Sequence, residues 1–176
     1  MAPKSSRQFS ERDVQQFLEL PSLIKIRERL PTFGFAHVVD ERGFQERTEV
    51  YFRLVRPNKP CDVGMAHCDH WFHTQAGLAY EIGTTLKLWV SVSSEPGLNG
   101  LCFYPEANIE QLKLAFFEGQ RAIATQEAIL GEAVLPNLSC GDALLFRDDV
   151  IHAGALNIGT KTRCSIEVTF IPLVKC

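Results

Sequence analysis

The sequence predicts a mainly β chain, a sandwich or barrel of short strands led by two helices. Three observations carry this reading. β-rich runs recur through residues 49–172, turn signals such as "NKP", "EPGLNG" and "NIGTK" separate them, and the two longest runs alternate in polarity.

The leading helices follow from spacing. "SERDVQQFLEL" offers Ser10 and Asp13 as a capping box, then Val14, Phe17 and Leu18 on one helical face. "SLIKIRERL" (22–30) is a second amphipathic piece, and Pro31 and Gly34 end helical character. Strands are expected at 49–57, 85–94, 100–105, 142–146 and 163–172. "NIEQLKLAFFEGQRAIATQEAIL" has a helical period broken by Gly119, which predicts a helical insertion at about 107–130. Residues 1–176 are read as a single domain, with a helical N-terminal region (1–48) and a β core (49–172).

Composition excludes several classes. The chain is 45% hydrophobic and 22% charged, with a net charge of −3. That balance exerts no general pull toward nucleic acid or acidic membranes. No apolar stretch reaches the ~18 residues of a membrane span, and "MAPKSSRQFSERD" has no apolar signal region, so a cytoplasmic location is expected. The cysteines form no CxxC pair and read as free or buried thiols.

Alternation separates two faces of the long strands. Leu86, Leu88, Val90 and Val92 face one way, and Lys87, Trp89 and Ser91 the other. Cys164, Ile166, Val168 and Phe170 share one face, and Arg163, Ser165, Glu167 and Thr169 the opposite one. The apolar face calls for a covering layer, which the two helices can supply. The polar and aromatic face reads as the lining of a ligand-holding barrel.

The chemistry concentrates in "AHCDHWFH" (66–73). If this stretch is extended, His67, Asp69, Trp71 and His73 share the inward face, and Cys68, His70 and Phe72 point outward. His67 and Asp69 then supply two-thirds of a 2-His-1-carboxylate facial triad, which binds Fe(II) and leaves coordination positions open. His152, between two strand runs, is the candidate third ligand; His37 precedes the strand series and reads as structural. Arg163 follows His152 by 11 residues on the last long strand. A co-substrate with two carboxylates uses both ends of this arrangement. One end chelates iron, the other forms a bidentate pair with guanidinium, and Ser165 can add a hydroxyl.

In these motifs the chain resembles the Fe(II)- and 2-oxoglutarate-dependent oxygenases, within them the phytanoyl-CoA dioxygenase-like group. "AHCDHWF" resembles that group's first ligand motif. "LKLWVSV" with "GLNGLCFYPEAN" resembles its tryptophan strand and following turn, with "PEAN" in place of "PGSH". "CGDALLFRDDVIHAGALNIGTKTRCSIEVTF" resembles the block that ends in the second histidine and the co-substrate arginine. The resemblance covers about residues 49–172. It implies a double-stranded β-helix (jelly roll, cupin-like) with N-terminal helices packed on the major sheet. It implies that His67, Asp69 and His152 hold Fe(II), that Arg163 and Ser165 hold 2-oxoglutarate, and that Trp89 lies beside it. It further implies oxidation of a small-molecule substrate by O2 with release of succinate and CO2. Asp69 stands where halogenases of this type carry a small residue, so hydroxylation, desaturation or ring closure are expected.

Three other readings compete: zinc held by His67, His70 and His73, a cupin, and a non-catalytic ligand-binding barrel. The first leaves Asp69, His152 and Arg163 unexplained, and the second lacks its HxH motif. Of the remaining residues, Arg53 and Lys87 are possible carboxylate contacts. His73 falls on the lumen face, His70 points outward, Asp148 and Asp149 form a solvated turn, and Asn157 and Gly159 form a hairpin turn.

Overall fold

The computed structural model describes residues 8–40, 43–75, 80–109, 114–117, 121–124 and 130–173. Two helices come first, α1 (Glu11–Leu18) and α2 (Pro21–Arg29). Four strands follow: β1 (Phe33–Phe35), β2 (His37–Asp40), β3 (Gly43–Thr48) and β4 (Val50–Val55). A short 3-10 turn at Pro60–Asp62 leads to α3 (Asp69–Gln75). The remaining strands are β5 (Leu86–Ser93), β6 (Leu101–Phe103), β7 (Leu114–Phe117), β8 (Arg121–Ala124), β9 (Ala143–Arg147), β10 (His152–Gly154) and β11 (Arg163–Pro172).

The helix starts follow local chemistry. Ser10 caps α1: its hydroxyl oxygen accepts from the Asp13 amide at 3.2 Å and its proton goes to the Asp13 carboxylate at 2.6 Å. Pro21 opens α2, where its missing N–H costs nothing. Arg27 and Arg29 close it, at the end that favours cations.

β11 is the spine of the major sheet. β4 and β1 pair along one of its edges, β5 along the other, and β9 lies beyond β5. β6 and β10 form a small separate sheet, with His152 opposite Phe103. All pairings among the described residues are antiparallel. One apolar face of the major sheet carries Val50, Leu88, Val168 and Phe170, and Val14, Leu18 and Leu23 of α1 and α2 pack on it. Each fully buried Val, Leu or Phe of such a layer contributes about 1.5–3 kcal/mol. A second apolar cluster joins Cys68, Trp71, Cys102 and Ile151 beneath α3. No helix of the described residues is long and apolar enough to cross a membrane.

Four expectations need correction. Leu114–Phe117 and Arg121–Ala124 are paired strands, not part of a helical insertion. The aromatic pair Phe116–Phe117 and the β-branched Ile123 have strand propensity, and pairing overrides the weak helical period. The rest of the proposed insertion lies largely outside the described residues. The N-terminal region is helical only to Arg29. Phe33–Phe35 adds to β11, and His37–Asp40 pairs with Gly43–Thr48. The stretch 66–73 is extended only through His67, which bridges to His152, and becomes helix at Asp69. Val92 does not join the core. The β5–β11 register shifts between Cys164 and Ser165, so Val92 sits at a bulge and is 40% exposed.

Candidate metal centre and its cleft

His67 and His152 are brought together by backbone pairing. Each donates its amide to the other's carbonyl at 2.9 Å, and the two rings lie 4.5 Å apart. Asp69 then enters as the first residue of α3, where a carboxylate is favoured by the helix dipole. Ligand atoms of His67, Asp69 and His152 all lie within 4.8 Å of one another. The helical turn at 69, not an alternating strand, aims the carboxylate at the imidazoles.

Both imidazoles are oriented alike. Nδ1 of His67 lies 2.7 Å from the Met65 carbonyl, and Nδ1 of His152 lies 2.9 Å from the Val150 carbonyl. A carbonyl only accepts, so each Nδ1 carries the proton and donates. Nε2 is then the nitrogen left to meet a metal, the orientation that a metal-binding histidine needs. Burial, reinforced by the neighbouring His152, lowers the His67 pKa to about 4, so its ring is neutral at neutral pH. Asp69 is 7% exposed, and its Oδ2 accepts no hydrogen bond. Burial alone would raise its pKa, but the Lys87 ammonium at 3.7 Å overrides this and holds it below the usual carboxylate range.

The three donors open into a cleft. Its walls include Trp89, Leu101 and Phe146, and its charged lining includes Arg53, Lys87, Arg163 and Glu167. The sheet register puts these side chains there. Glu167 stands opposite Trp89, Thr169 opposite Lys87, and Lys87 opposite Phe146. Directly opposed residues share a face.

Arg163 is fully buried. Its Nη1 donates to the Gly100 carbonyl, at a glycine whose φ of 144° few L side chains tolerate. Its Nε and Nη2 have no partner. Its guanidinium lies 5.6 Å from the centroid of the Trp89 ring. Burial, and after it the nearby Arg53, lowers its pKa to about 10. Ser165 is also fully buried with an unpaired Oγ, and the Trp89 indole N–H is unpaired as well. Ser165 does not itself line the cleft.

Two groups differ from their expected roles. Asp148 does not form a solvated turn: it is 1% exposed. Its Oδ1 accepts from the Gly83 amide at 2.8 Å, and its Oδ2 lies 3.4 Å from His70 and 3.6 Å from His73. Its carbonyl accepts from the His70 amide, so one buried residue anchors the first turn of α3 and hence the direction of Asp69. His70 and His73 therefore both turn to Asp148, and His73 does not line the cleft. Asp149, by contrast, does pair with Arg147 at the surface. Asn157 is fully buried, no simple turn residue. It donates to the carbonyls of Val55 and Lys161 and accepts from Gly159 and Asn99, pinning the loop that delivers Arg163. Glu167 was legible as inward-facing but carried no assigned role.

No protein-family model matches the chain, and no curated protein is similar to it. Solved structures are. EvdO2 from Micromonospora carbonacea var. aurantiaca, in a complex with 2-oxoglutarate, matches with a TM-score of 0.64 at 15% identity. The chain shares its fold with EvdO2. The match covers 92% of this chain and 64% of EvdO2, so the chain spans just under two thirds of that protein's length. EvdMO1 matches with a TM-score of 0.56 at 12% identity, over 89% of this chain and 32% of EvdMO1. The non-heme monooxygenase ThoJ, in its apo form, matches with a TM-score of 0.50 at 11% identity, over 70% of this chain and 45% of ThoJ. At these identities the likeness is one of fold, a jelly-roll-like antiparallel β architecture.

Proposed function

We propose that this chain is a non-haem Fe(II)- and 2-oxoglutarate-dependent dioxygenase of the phytanoyl-CoA dioxygenase-like group, built on a double-stranded β-helix, which hydroxylates a small molecule. His67, Asp69 and His152 hold the iron. Arg163, aided by Ser165 and Trp89, holds the far carboxylate of 2-oxoglutarate.

One observation carries the reading: two sets of unsatisfied polar atoms share one cleft. The first is Asp69 Oδ2, unsatisfied, in a carboxylate within 4.8 Å of a ring nitrogen of His67 and of His152. The second is Arg163 Nε and Nη2 with Trp89 Nε1 and Ser165 Oγ. Each unsatisfied buried group costs about 1–3 kcal/mol, so such sets persist where a ligand completes them. A divalent cation suits the first set: two imidazoles and one carboxylate, the facial arrangement typical of non-haem iron. A carboxylate suits the second, because a guanidinium fork and two further donors face it. A dicarboxylate with one end at the metal spans both. EvdO2, of like fold, was solved with 2-oxoglutarate, which supports the same choice here.

The side chains have distinct tasks. Asp69, held ionised by Lys87, keeps a charged ligand in the centre. The Met65 and Val150 carbonyls fix both imidazole tautomers. Trp89, Leu101 and Phe146 exclude water from the cleft. When bound, iron, 2-oxoglutarate and O2 supply oxidative decarboxylation to succinate and CO2, coupled to insertion of one oxygen atom into a substrate C–H bond. The test is slow turnover without added substrate. Succinate should accumulate in step with O2 consumption, stop on chelation, and return with Fe(II) but not Zn(II). Succinate no higher than in an enzyme-free control, at saturating Fe(II) and 2-oxoglutarate, would contradict the proposal.

A further inference from the structure

Two charged side chains of the cleft take no part in the reading above. Arg53 on β4 stands opposite Ser165, and Glu167 stands opposite Tyr51 and Trp89, so the two occupy neighbouring rows of one sheet face. Both line the cleft, with side chains 18% and 21% exposed. Their mutual contact is loose. Arg53 Nε lies 3.6 Å from Glu167 Oε1, too far for a hydrogen bond. No other contact of the Arg53 guanidinium or the Glu167 carboxylate reaches hydrogen-bond length among the described residues. The surface pair Arg56–Asp62 shows what this chain builds when such a pair serves only itself: two bonds of 2.8 Å in a closed fork.

The other charges of the cleft are matched. Lys87 has Asp69 at 3.7 Å and Glu49 at 4.0 Å, and donates to Thr169 at 2.7 Å. The dication is matched by Asp69 and the near carboxylate of the co-substrate, Arg163 by the far carboxylate, and Lys87 by Glu49. Arg53 and Glu167 remain, one of each sign, side by side and open. A substrate with net charge would leave one of them opposed or unmatched. A substrate with a carboxylate and an ammonium group satisfies both. The two Nη groups of Arg53 form a fork for the carboxylate. Glu167, which has no donor of its own, accepts from the ammonium.

We propose that Arg53 and Glu167 read the substrate, and that the substrate is a small zwitterion of the amino-acid type, its carboxylate on Arg53 and its ammonium on Glu167. This rests on the cleft being the metal and 2-oxoglutarate site. The pair also explains why the guanidinium and carboxylate stand apart: each is held for a ligand group, with its neighbour as a weak placeholder.

The test is calorimetric titration under argon of the protein loaded with Fe(II) and 2-oxoglutarate. The probes are the twenty standard L-amino acids, and for any that binds, its N-acetyl and its carboxamide forms. At least one amino acid should bind, and blocking either end should weaken it by about tenfold or more, the scale of losing hydrogen bonds to a charged group. Arg53→Gln should weaken the amino acid and its N-acetyl form and spare the carboxamide. Glu167→Gln should weaken the amino acid and its carboxamide and spare the N-acetyl form. The proposal is overturned if no amino acid binds to protein that does bind 2-oxoglutarate. It is also overturned if the blocked forms bind as tightly, or if either variant weakens all three forms equally. The wild-type comparison decides even if a variant fails to fold. If the wild type does not bind 2-oxoglutarate at all, the parent reading fails, and this proposal falls with it.

Discussion

The two faces of β11 obey different rules. Ile166, Val168 and Phe170 face outward onto α1 and α2, among residues with nothing to hydrogen-bond. Arg163, Ser165 and Glu167 alternate with them on the opposite face, from which Arg163 and Glu167 line the cleft, and Arg163 Nε, Arg163 Nη2 and Ser165 Oγ are buried without partners. The outer face is complete as it stands. The inner face leaves polar atoms unsatisfied, which the proposed ligands would complete. One strand thus serves stability with one set of residues and binding with the next, and the packed side carries the cost of the unsatisfied one. Substitutions on the two faces should therefore separate into two kinds of loss.

The largest effect is expected at Asp69. Asp69→Ala should raise the Fe(II) dissociation constant by more than the ~100-fold typical of losing a ligand's hydrogen-bonding neighbour. Anaerobic equilibrium dialysis with metal analysis reads this directly, and tight binding by the variant would break the inner-face assignment. The sharpest contrast lies along β11 itself. Phe170→Ala should cost about 3–5 kcal/mol of stability, measured by denaturant unfolding, with metal and 2-oxoglutarate binding unchanged in the folded protein. Arg163→Ala should do the reverse, raising the 2-oxoglutarate dissociation constant by roughly two to three decades. Arg163→Met, which removes a buried unpaired cation, should leave the melting temperature of the ligand-free protein the same or higher. A large loss of stability there would mean that Arg163 is structural.

Sequence reasoning singled out the outer face and the His67–Asp69 pair for the same reason: both are local patterns. Strand alternation placed Arg163, Ser165 and Glu167 on one side, and His67-x-Asp69 is visible within three residues. What escaped it depends on distant partners. Asp148 and Asp149 are identical in sequence terms, yet Asp148 is buried against His70, His73 and Gly83 while Asp149 pairs with Arg147 outside. Asn157 reads as a turn residue, but its bonds reach Asn99 and Val55, far along the chain. The helix at Asp69 was missed because the stretch lacks strong helix formers; its direction comes from the buried carboxylate and carbonyl of Asp148. The strands at Leu114–Phe117 and Arg121–Ala124 were hidden by a helical period that β pairing overrode.

Smaller effects sharpen the comparison further. Asp148→Asn should weaken Fe(II) binding by about tenfold, the low end of the range for residues that orient metal ligands, because α3 loses a charged anchor while Asp69 itself remains. Ser10→Ala lies behind the outer face and should cost ~1 kcal/mol of stability through the lost cap of α1, with no change in metal binding. Were Ser10→Ala to disturb the cleft, the two faces would not be independent.

The central claim is that the unsatisfied atoms of the inner face belong to a metal and a dicarboxylate bound together. Its most direct test is visible absorption under argon, with Fe(II) and 2-oxoglutarate titrated singly and jointly. A weak charge-transfer band should develop in the wild type only when both are present. Asp69→Ala should abolish it, and Arg163→Ala should shift it to far higher 2-oxoglutarate concentrations while sparing the response to pyruvate, which lacks the far carboxylate. No band at saturating concentrations of both, or a band unaltered by Asp69→Ala, would contradict the account.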